Sequence, residues 1–334
     1  MATLVSTDAN VAPYPRERWS VLRAIGPTIG PLVALILAVA FFALKSDQFL
    51  DPDNFSLILQ QVMVVGVLAL GQTFVILTAG IDLSNGAVMA LGTIVMTKLA
   101  VVSGVPPLLA IALGILTCTG FGVLNGALVT QLRLPAFIVT LGTLNIAFAL
   151  THIYSEDQTI VDLPSQMTFL GRTFTLGGTQ WTYGVVVALA LFAVAWFALT
   201  QTAWGRHIYA YGSNPEAARL QGIHVNRLLI SVYAVAGTIY GVAGLLLVAR
   251  TEVGDPNAGQ TDNLDSITAV VLGGTSLFGG IGSVIGTLLG ALIVGVFRNG
   301  LQLIGVASIY QVLITGILVI LAVAVDQLVR RRRL

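Results

Sequence analysis

Polar side chains inside apolar stretches are the residues of this sequence best suited to act on a solute, and most are neutral amides. Burying a polar side chain in lipid is costly, so such a residue usually faces a pathway or a partner helix. Amides suit an uncharged polyhydroxyl solute better than a proton relay, which requires Asp, Glu or His. Each amide taken alone also fits an interhelical hydrogen bond. The pathway candidates are Gln60, Gln61, Gln72, Asn125, Asn145, Arg298, Asn299, Gln302 and Gln311.

Residues for catalysis or metal binding are scarce. The three histidines lie in separate segments without metal-ligand spacing, and Cys118 is the only cysteine. A phosphate-binding loop requires Gly-Lys-Ser/Thr, but the only lysines, Lys45 and Lys98, follow Leu44 and Thr97. The sequence therefore predicts no catalytic, metal or cofactor site in this chain, and any use of ATP and Mg²⁺ is assigned to a separate subunit.

The polar stretch 201–227 contains a short helix with clear start and stop signals. Asn214 is a good N-cap and Pro215 fits the first helical position. Glu216 and Arg219 complement the two ends of the helix dipole, and Gly222 can end the helix in the left-handed conformation. The predicted docking residues are Asn214, Pro215, Glu216, Ala217, Ala218, Arg219 and Gly222.

An isolated helix of this length is marginal in water, so something must hold it in place. It lies either on the surface of its own protein or in the groove of a cytoplasmic partner. A cysteine at Ala218 that crosslinks to a partner would distinguish these alternatives.

The elements that position these residues are membrane spans. The chain has 334 residues, of which 56% are hydrophobic and 9% charged, with a mean hydropathy of +0.91; a soluble domain has about 25% charged residues. We predict an all-α polytopic membrane protein with a single transmembrane domain at 27–329, between cytoplasmic tails at 1–26 and 330–334. The eighth apolar run is short and glycine-rich, so it fits a re-entrant or half-length helix. The ten runs are 27–44, 56–79, 84–103, 107–130, 135–154, 181–200, 228–249, 266–279, 283–304 and 308–328.

The distribution of basic residues predicts that both termini are cytoplasmic. In that orientation 11 of the 16 basic residues fall on the cytoplasmic side, including those of 330–333, as the positive-inside rule requires. Two acidic external loops, 155–180 and 250–265, are then either solvated loops or a docking surface for an extracytoplasmic partner.

Glycine spacing and a faint repeat describe how the spans pack. Gly282, Gly286 and Gly290 recur every four residues along the ninth span, a spacing that lets membrane helices approach closely. The pair Asn125-Gly126 is followed by a glycine seventeen residues later, and so is Asn299-Gly300. Spans 2–5 and 7–10 therefore form a predicted inverted repeat, which is typical of transporters.

Five segments resemble the ribose-type branch of the sugar ABC permeases. They are ILTAGIDLS at 76–84, LPAFIVTL at 134–141, YGSNPEAARLQG at 211–222, AVVLGGTSLFGG at 269–280 and VASIYQ at 306–311. The resemblance covers about residues 50–328. Asn85 departs from the small apolar residue that this branch would place after Ser84.

The resemblance implies a homodimeric pore in the inner membrane of a bacterium, with ten helices per subunit. Two cytoplasmic ATPase subunits would drive the pore, and a periplasmic binding protein would deliver a monosaccharide such as ribose, xylose, fructose or galactose. The helix at 214–222 would engage the ATPase through Asn214, Glu216 and Arg219. No nucleic-acid partner is implied.

Two other classes remain as alternatives. An ion-coupled secondary transporter would need carboxylates inside the membrane, and only Asp82 comes near, at a helix boundary. A membrane enzyme would need a nucleophile, a base or a metal cluster. Uptake that survives ATP depletion but collapses with an uncoupler would favour the secondary transporter.

Overall fold

The computed structural model describes residues 20–317 and residue 320. Within this part, six helices are long and apolar enough to cross a membrane: Pro52–Leu77, Pro107–Gln131, Ala136–Ser155, Tyr183–Gln201, Val225–Thr251 and Val284–Leu303. The shorter apolar helices are Ile29–Lys45, Asn85–Val101 and Ser308–Ile317. In chain order the bundle contains α1 (Ser20–Lys45), α2 (Pro52–Leu77), α3 (Asn85–Val101), α4 (Pro107–Gln131), α5 (Ala136–Ser155), α7 (Tyr183–Gln201), α10 (Val225–Thr251), α11 (Asp262–Leu272), α12 (Val284–Leu303) and α13 (Ser308–Ile317).

These helices correspond to the ten predicted runs, and the all-α polytopic fold is confirmed. The end of the last run, 318–328, lies outside the described residues except for residue 320, and so do both predicted tails for the most part. The eighth run, predicted at 266–279, overlaps the 11-residue helix α11, which begins earlier, at Asp262, and ends earlier, at Leu272. This helix is about 16 Å long at 1.5 Å per residue. That is about half of a 30 Å hydrocarbon core, so the half-length interpretation is correct.

A β-hairpin precedes α7 and was not predicted. Strands β1 (Thr173–Leu176) and β2 (Thr179–Thr182) pair antiparallel, with Phe174 opposite Trp181. Gly177 and Gly178 form the two-residue turn with φ of 63° and 82°, as such hairpin turns require. The run predicted at 181–200 therefore began two residues too early, because Trp181 and Thr182 belong to β2. The short helix α6 (Ser165–Thr168) lies before the hairpin.

Helices α2 and α10 form the centre of the bundle and are buried over most of their surface, whereas α4, α5 and α7 bury only a stripe. Glycines bring α10 against α4. A Cβ on Gly122 would overlap the Tyr233 carbonyl, and one on Gly237 would overlap that of Cys118. This close backbone approach is the usual way in which membrane helices associate.

Two helix pairs are interrupted at matching places in the predicted repeat. Helix α2 is followed by the irregular segment 78–84 and the shorter α3, while α10 is followed by 252–261 and the shorter α11. The first turn of α11 binds the start of α3 and the segment before it, since Asn85 Nδ2 donates to Ser266 Oγ at 2.7 Å and Asn263 Nδ2 to the Leu83 carbonyl at 3.3 Å. The segment 78–84 is mostly buried, and non-helical backbone inside a membrane bundle is tolerated where protein encloses it.

Candidate transport pathway and coupling surface

Three of the nine pathway candidates are buried and hold helices together. Asn299 on α12 and Asn54 on α2 exchange reciprocal amide hydrogen bonds of 2.8 and 3.1 Å. Asn125 Nδ2 donates to Ser84 Oγ at 3.1 Å. The Gln72 amide, oriented to fit its surroundings, bonds the backbone N–H and C=O of Asp82 at 3.2 and 3.1 Å. The Asn299 amide therefore makes interhelical hydrogen bonds, the alternative that the sequence left open, while the Asn125 and Gln72 amides bind the irregular segment 78–84.

Gln72 and Asn125 stabilise the interruption between α2 and α3. Ser84 Oγ donates to Asp82 Oδ1 at 2.6 Å, and the Ser84 N–H donates to the same oxygen at 2.9 Å. Asn85, where the chain departs from the sugar-permease pattern, is fully buried and reaches α11. These hydrogen bonds stabilise the buried segment 78–84, and the Oδ1 atoms of Asn85 and Asn125 have no partner among the described residues.

Three other candidates, Gln60, Gln61 and Arg298, lie at a polar cavity, which we call the vestibule. It consists of an inner cavity of about 230 Å³ bounded by α2, α3, α10, α11 and α12, and an outer cavity of about 370 Å³. Gln61, Arg250 and Arg298 line both cavities, and Gln60 lines the outer one. Gln61 Oε1 is buried and has no hydrogen-bond partner among the described residues.

Charged residues of both signs meet at the vestibule. Arg298 Nη1 lies 3.4 Å from Asp265 Oδ2 and 4.0 Å from Asp262 Oδ1, so two carboxylates share one guanidinium. Arg250 Nη1 donates to the Gln60 carbonyl at 3.4 Å. Charged side chains inside membrane helices are costly and commonly mark a solute pathway.

Sequence reasoning found Arg298 but assigned Arg250, Asp262 and Asp265 to an external loop. Helix α10 continues to Thr251 and α11 begins at Asp262, so these three residues belong to helices. The available signal was the pair of acidic residues in the first turn of a short apolar helix, where the helix dipole favours negative charge.

The remaining candidates lie elsewhere. Asn145 lines a cavity of about 330 Å³ between α3, α5 and the segment 252–261, and its Nδ2 donates to the Leu141 carbonyl at 3.0 Å. Gln302 and Gln311 line a third cavity, of about 520 Å³, among α11, α12 and α13. The nine candidates are therefore divided between three cavities and the buried helix contacts.

At the opposite end of α2, backbone atoms of three segments pack tightly together. We call this region the coupling junction, and it consists of Leu77, Tyr209, Gly212, Gly280 and Gly282. The Gly280 N–H donates to the Leu77 carbonyl at 2.9 Å, and Tyr209 OH donates to the Gly282 carbonyl at 3.0 Å. A Cβ on Gly212 would overlap the Leu77 carbonyl oxygen. The junction connects α8 (Ala203–Ser213) directly to the irregular segment 273–283.

The predicted short helix is α9 (Pro215–Leu220), next to the coupling junction. Asn214 Oδ1 caps it by accepting from the Ala217 N–H at 3.0 Å, and Gly222 adopts a φ of 84°. Its two faces differ, since Ala218 is 2% exposed and Leu220 is 78% exposed. Ala218 is thus an anchor onto its own protein and the wrong position for an intersubunit crosslink.

The other predicted contacts of α9 are exposed. Glu216 and Arg219 pair with each other at 2.9 Å, and their side chains are 67% and 69% exposed. An exposed ion pair contributes about 1 kcal/mol or less to stability. Both residues, together with Leu220, remain accessible to a partner.

The glycines predicted to pack the ninth span have different positions. Gly286 and Gly290 face α11, where added Cβ atoms would overlap the carbonyls of Gly273 and Ala269. Helix α12 begins at Val284, so Gly282 precedes it. Gly282 therefore belongs to the coupling junction, since its backbone and not a helix face makes the contact.

The two predicted external loops are joined to each other at the vestibule end. Ile160 and Gly254 form an isolated β-bridge with two hydrogen bonds of 2.8 Å. Lys98, at the end of α3, donates to Glu156 at 2.9 Å. This hydrogen bond, with the lysine charge, lowers the pKa of the exposed Glu156 carboxyl.

A helical bundle with paired interrupted helices, a charged vestibule at one end and an exposed capped helix at the other defines a multi-pass membrane permease. Residues 54–323 match the family described as branched-chain amino acid transport system / permease component, and the chain belongs to that family.

Relatives within this family are permeases for sugars. The chain is 45% identical to the fructose import permease protein of Rhizobium meliloti over 91% of this chain and 86% of that protein. It is 41% identical to the ribose import permease protein of Bacillus subtilis, over 90% and 92%. It is 33% identical to the L-arabinose ABC transporter permease protein of Azospirillum brasilense, over 99% and 96%. The resemblance to ribose-type monosaccharide permeases is thereby confirmed. No solved structure matches the chain.

Proposed function

We propose that this chain is the membrane-spanning subunit of an ATP-driven importer that takes up a monosaccharide. The observation that carries the proposal is similarity over about nine-tenths of the chain to import permeases whose names specify fructose and ribose. The neutral amides Gln60 and Gln61 at the vestibule suit a polyhydroxyl solute. Ribose, fructose, xylose and galactose are the candidate substrates.

The ATPase is a separate subunit that binds ATP and Mg²⁺ and docks on α9. The exposed side chains of Glu216, Arg219 and Leu220 support this role, because a partner can reach them without unfolding the helix. Burial of Ala218 fixes α9 to the rest of the permease. A push on α9 would therefore move α8 and the coupling junction.

The vestibule end is assigned to the extracytoplasmic side and α9 to the cytoplasm, with both termini cytoplasmic. The positive-inside distribution of arginines supports this orientation. A binding protein that delivers the sugar would dock at the loops joined by Ile160 and Gly254. A second copy of the chain would complete a homodimeric pore in the inner membrane of a bacterium.

Uptake of radiolabelled sugars by vesicles that contain the complete importer tests the proposal. Uptake should require ATP and the binding protein, and it should survive an uncoupler. Uptake that persists without ATP but collapses with the uncoupler would instead identify an ion-coupled secondary transporter.

A branched-chain amino acid is the second candidate solute. The description of the family names this solute class, and the vestibule has Asp and Arg side chains that can pair with an amino and a carboxylate group. Leucine uptake in the same vesicles distinguishes the two, since the monosaccharide proposal predicts none.

A further inference from the structure

We propose that the inner cavity of the vestibule is a low-affinity binding site for a single uncharged sugar ring, with Gln61, Arg250 and Asp262 as its hydrogen-bonding groups. This inference rests on the proposed function and assigns the solute a place within this chain.

The cavity extends from the end of the bundle into its interior. Thr251 and Val253 line its mouth, and Val65 lines its wall. Val65 lies thirteen residues into α2, about 20 Å along the helix at 1.5 Å per residue. A solute in this cavity has therefore travelled well into the bundle.

The floor of the cavity is a contact between the two interrupted helix pairs. Gly259 lines the cavity and packs so closely on Gly86 that a Cβ on Gly86 would overlap the Gly259 carbonyl oxygen. Below this contact, the hydrogen bond from Asn85 to Ser266 ties α3 to α11. A bound solute would lie against this contact between the two interrupted helix pairs.

The balance of charge at the cavity favours a neutral solute. Arg250 and Arg298 line the cavity together with Asp255 and Asp262, so two positive and two negative side chains face each other. Arg298 pairs with Asp262 and also with Asp265, which lies outside the lining. A charged or zwitterionic solute would have to compete with pairs that already exist, and an unpaired charge is costly in a partly dehydrated site. Hydroxyl groups can bond to these side chains without separating them.

One acceptor in the cavity wall has an unmet hydrogen bond. Gln61 Oε1 is buried without a partner among the described residues, and leaving a buried polar atom unsatisfied costs about 1–3 kcal/mol. A sugar hydroxyl can donate to this oxygen. The apolar side chains of Val64, Val65 and Leu247 offer a surface for the C–H face of the ring.

The size of the inner cavity favours a monosaccharide. Its volume is about 230 Å³, and pockets for drug-sized ligands have volumes of about 300–1,000 Å³. A single sugar ring is therefore a better fit than a disaccharide.

Cysteine protection in the full-length chain tests this site. Cys118 is the only cysteine in the sequence, so Cys118→Ala provides a background in which Val65→Cys is the only thiol. Val65 is 7% exposed and lines the cavity, so a membrane-impermeant methanethiosulfonate should label Val65→Cys slowly and from the vestibule side. If Kd is on the order of 1–10 mM, about 50 mM ribose or fructose should slow labelling by about sixfold or more, whereas leucine and sucrose should not.

Two variants serve as controls. Val102→Cys lies on an exposed site at the same end of the bundle and should be labelled at the same rate with or without sugar. Gln61→Leu, added to the Val65→Cys protein, should abolish protection without preventing labelling. If Val65→Cys does not fold or is not labelled, Thr251→Cys replaces it with the same prediction, because Thr251 is exposed and also lines the cavity.

The outcomes separate this inference from the proposed function. Labelling that no sugar slows, in a chain whose importer takes up sugar, would overturn the site and leave the function intact. Protection by leucine and not by sugars would overturn both. Protection that Gln61→Leu does not alter would overturn the assignment of Gln61.

Discussion

The two ends of α2 show opposite kinds of packing. At the vestibule, long polar side chains such as Gln61 and Arg298 surround open space, and one amide oxygen lacks a partner among the described residues. At the coupling junction, backbone atoms of Leu77, Gly212 and Gly280 touch with no room for a side chain. The first arrangement has room for a solute, whereas the second holds α8 tightly against the end of α2 and the segment 273–283.

This difference indicates where substitutions should alter recognition and where they should alter coupling. Side chains at the vestibule can change while the backbone stays in place. A methyl group at the coupling junction must instead separate two elements. The following predictions test that contrast in order of decreasing effect on stability.

Gly212→Ala should have the largest effect. Its Cβ would overlap the Leu77 carbonyl oxygen, and overpacking of this kind typically costs about 1–3 kcal/mol. We expect a lower Tm and loss of sugar uptake. Gly142→Ala is the matched control, because nothing lies within 4 Å of its added Cβ; an equal loss of uptake in both variants would contradict the special role of the junction.

Arg298→Gln should have an intermediate effect. Removing the guanidinium leaves Asp262 and Asp265, whose side chains are 14% and 9% exposed, without their shared cation. Because the Arg298 side chain is itself 46% exposed, solvent screening limits the loss of unfolding free energy to roughly 1–2 kcal/mol. The Tm should fall, and the additional substitution Asp265→Asn should recover part of it. No recovery in the double variant would show that the pair contributes nothing.

The amide pair between α2 and α12 should contribute less. Asn299→Leu removes both hydrogen bonds with Asn54, and interhelical hydrogen bonds in membranes average about 0.6 kcal/mol with a maximum of about 1.7. A double-mutant cycle with Asn54→Leu, measured by unfolding in mixed detergent, should give a coupling energy in that range. A coupling energy of zero would contradict a direct interaction.

Leu220→Ser should leave the stability of the chain unchanged, since exposed substitutions usually alter it by less than about 0.5 kcal/mol. Binding of the ATPase subunit should weaken, and this can be measured by co-purification and by ATP-dependent uptake. Unchanged binding together with unchanged uptake would show that α9 docks without Leu220.

The sequence predicts what depends on local pattern. Run lengths give the ten helices and the half-length α11, and the cap residues Asn214 and Gly222 give α9 with its observed geometry. The pair Gly177-Gly178 also indicates a hairpin turn. The hairpin was missed because its second strand runs directly into an apolar span.

Side-chain environment depends on which helices meet and does not follow from residue type. Gln61 and Gln72 lie eleven residues apart on α2, yet one lines the vestibule and the other holds the segment 78–84. The sequence around α9 does not indicate that Ala218 is buried and Leu220 is exposed, as they are in the structure. Arg250 and Asp262 line the vestibule because α10 and α11 pack beside α12, and the sequence does not specify that packing.

Sidedness of labelling in sealed right-side-out vesicles tests the central claim most directly, namely that vestibule and coupling surface lie at opposite faces of the membrane. In the Cys118→Ala background, an impermeant thiol reagent should label Val65→Cys in sealed vesicles. The same reagent should label Leu220→Cys only after permeabilisation. Labelling of Leu220→Cys in sealed vesicles, or of Val65→Cys only after permeabilisation, would contradict the account.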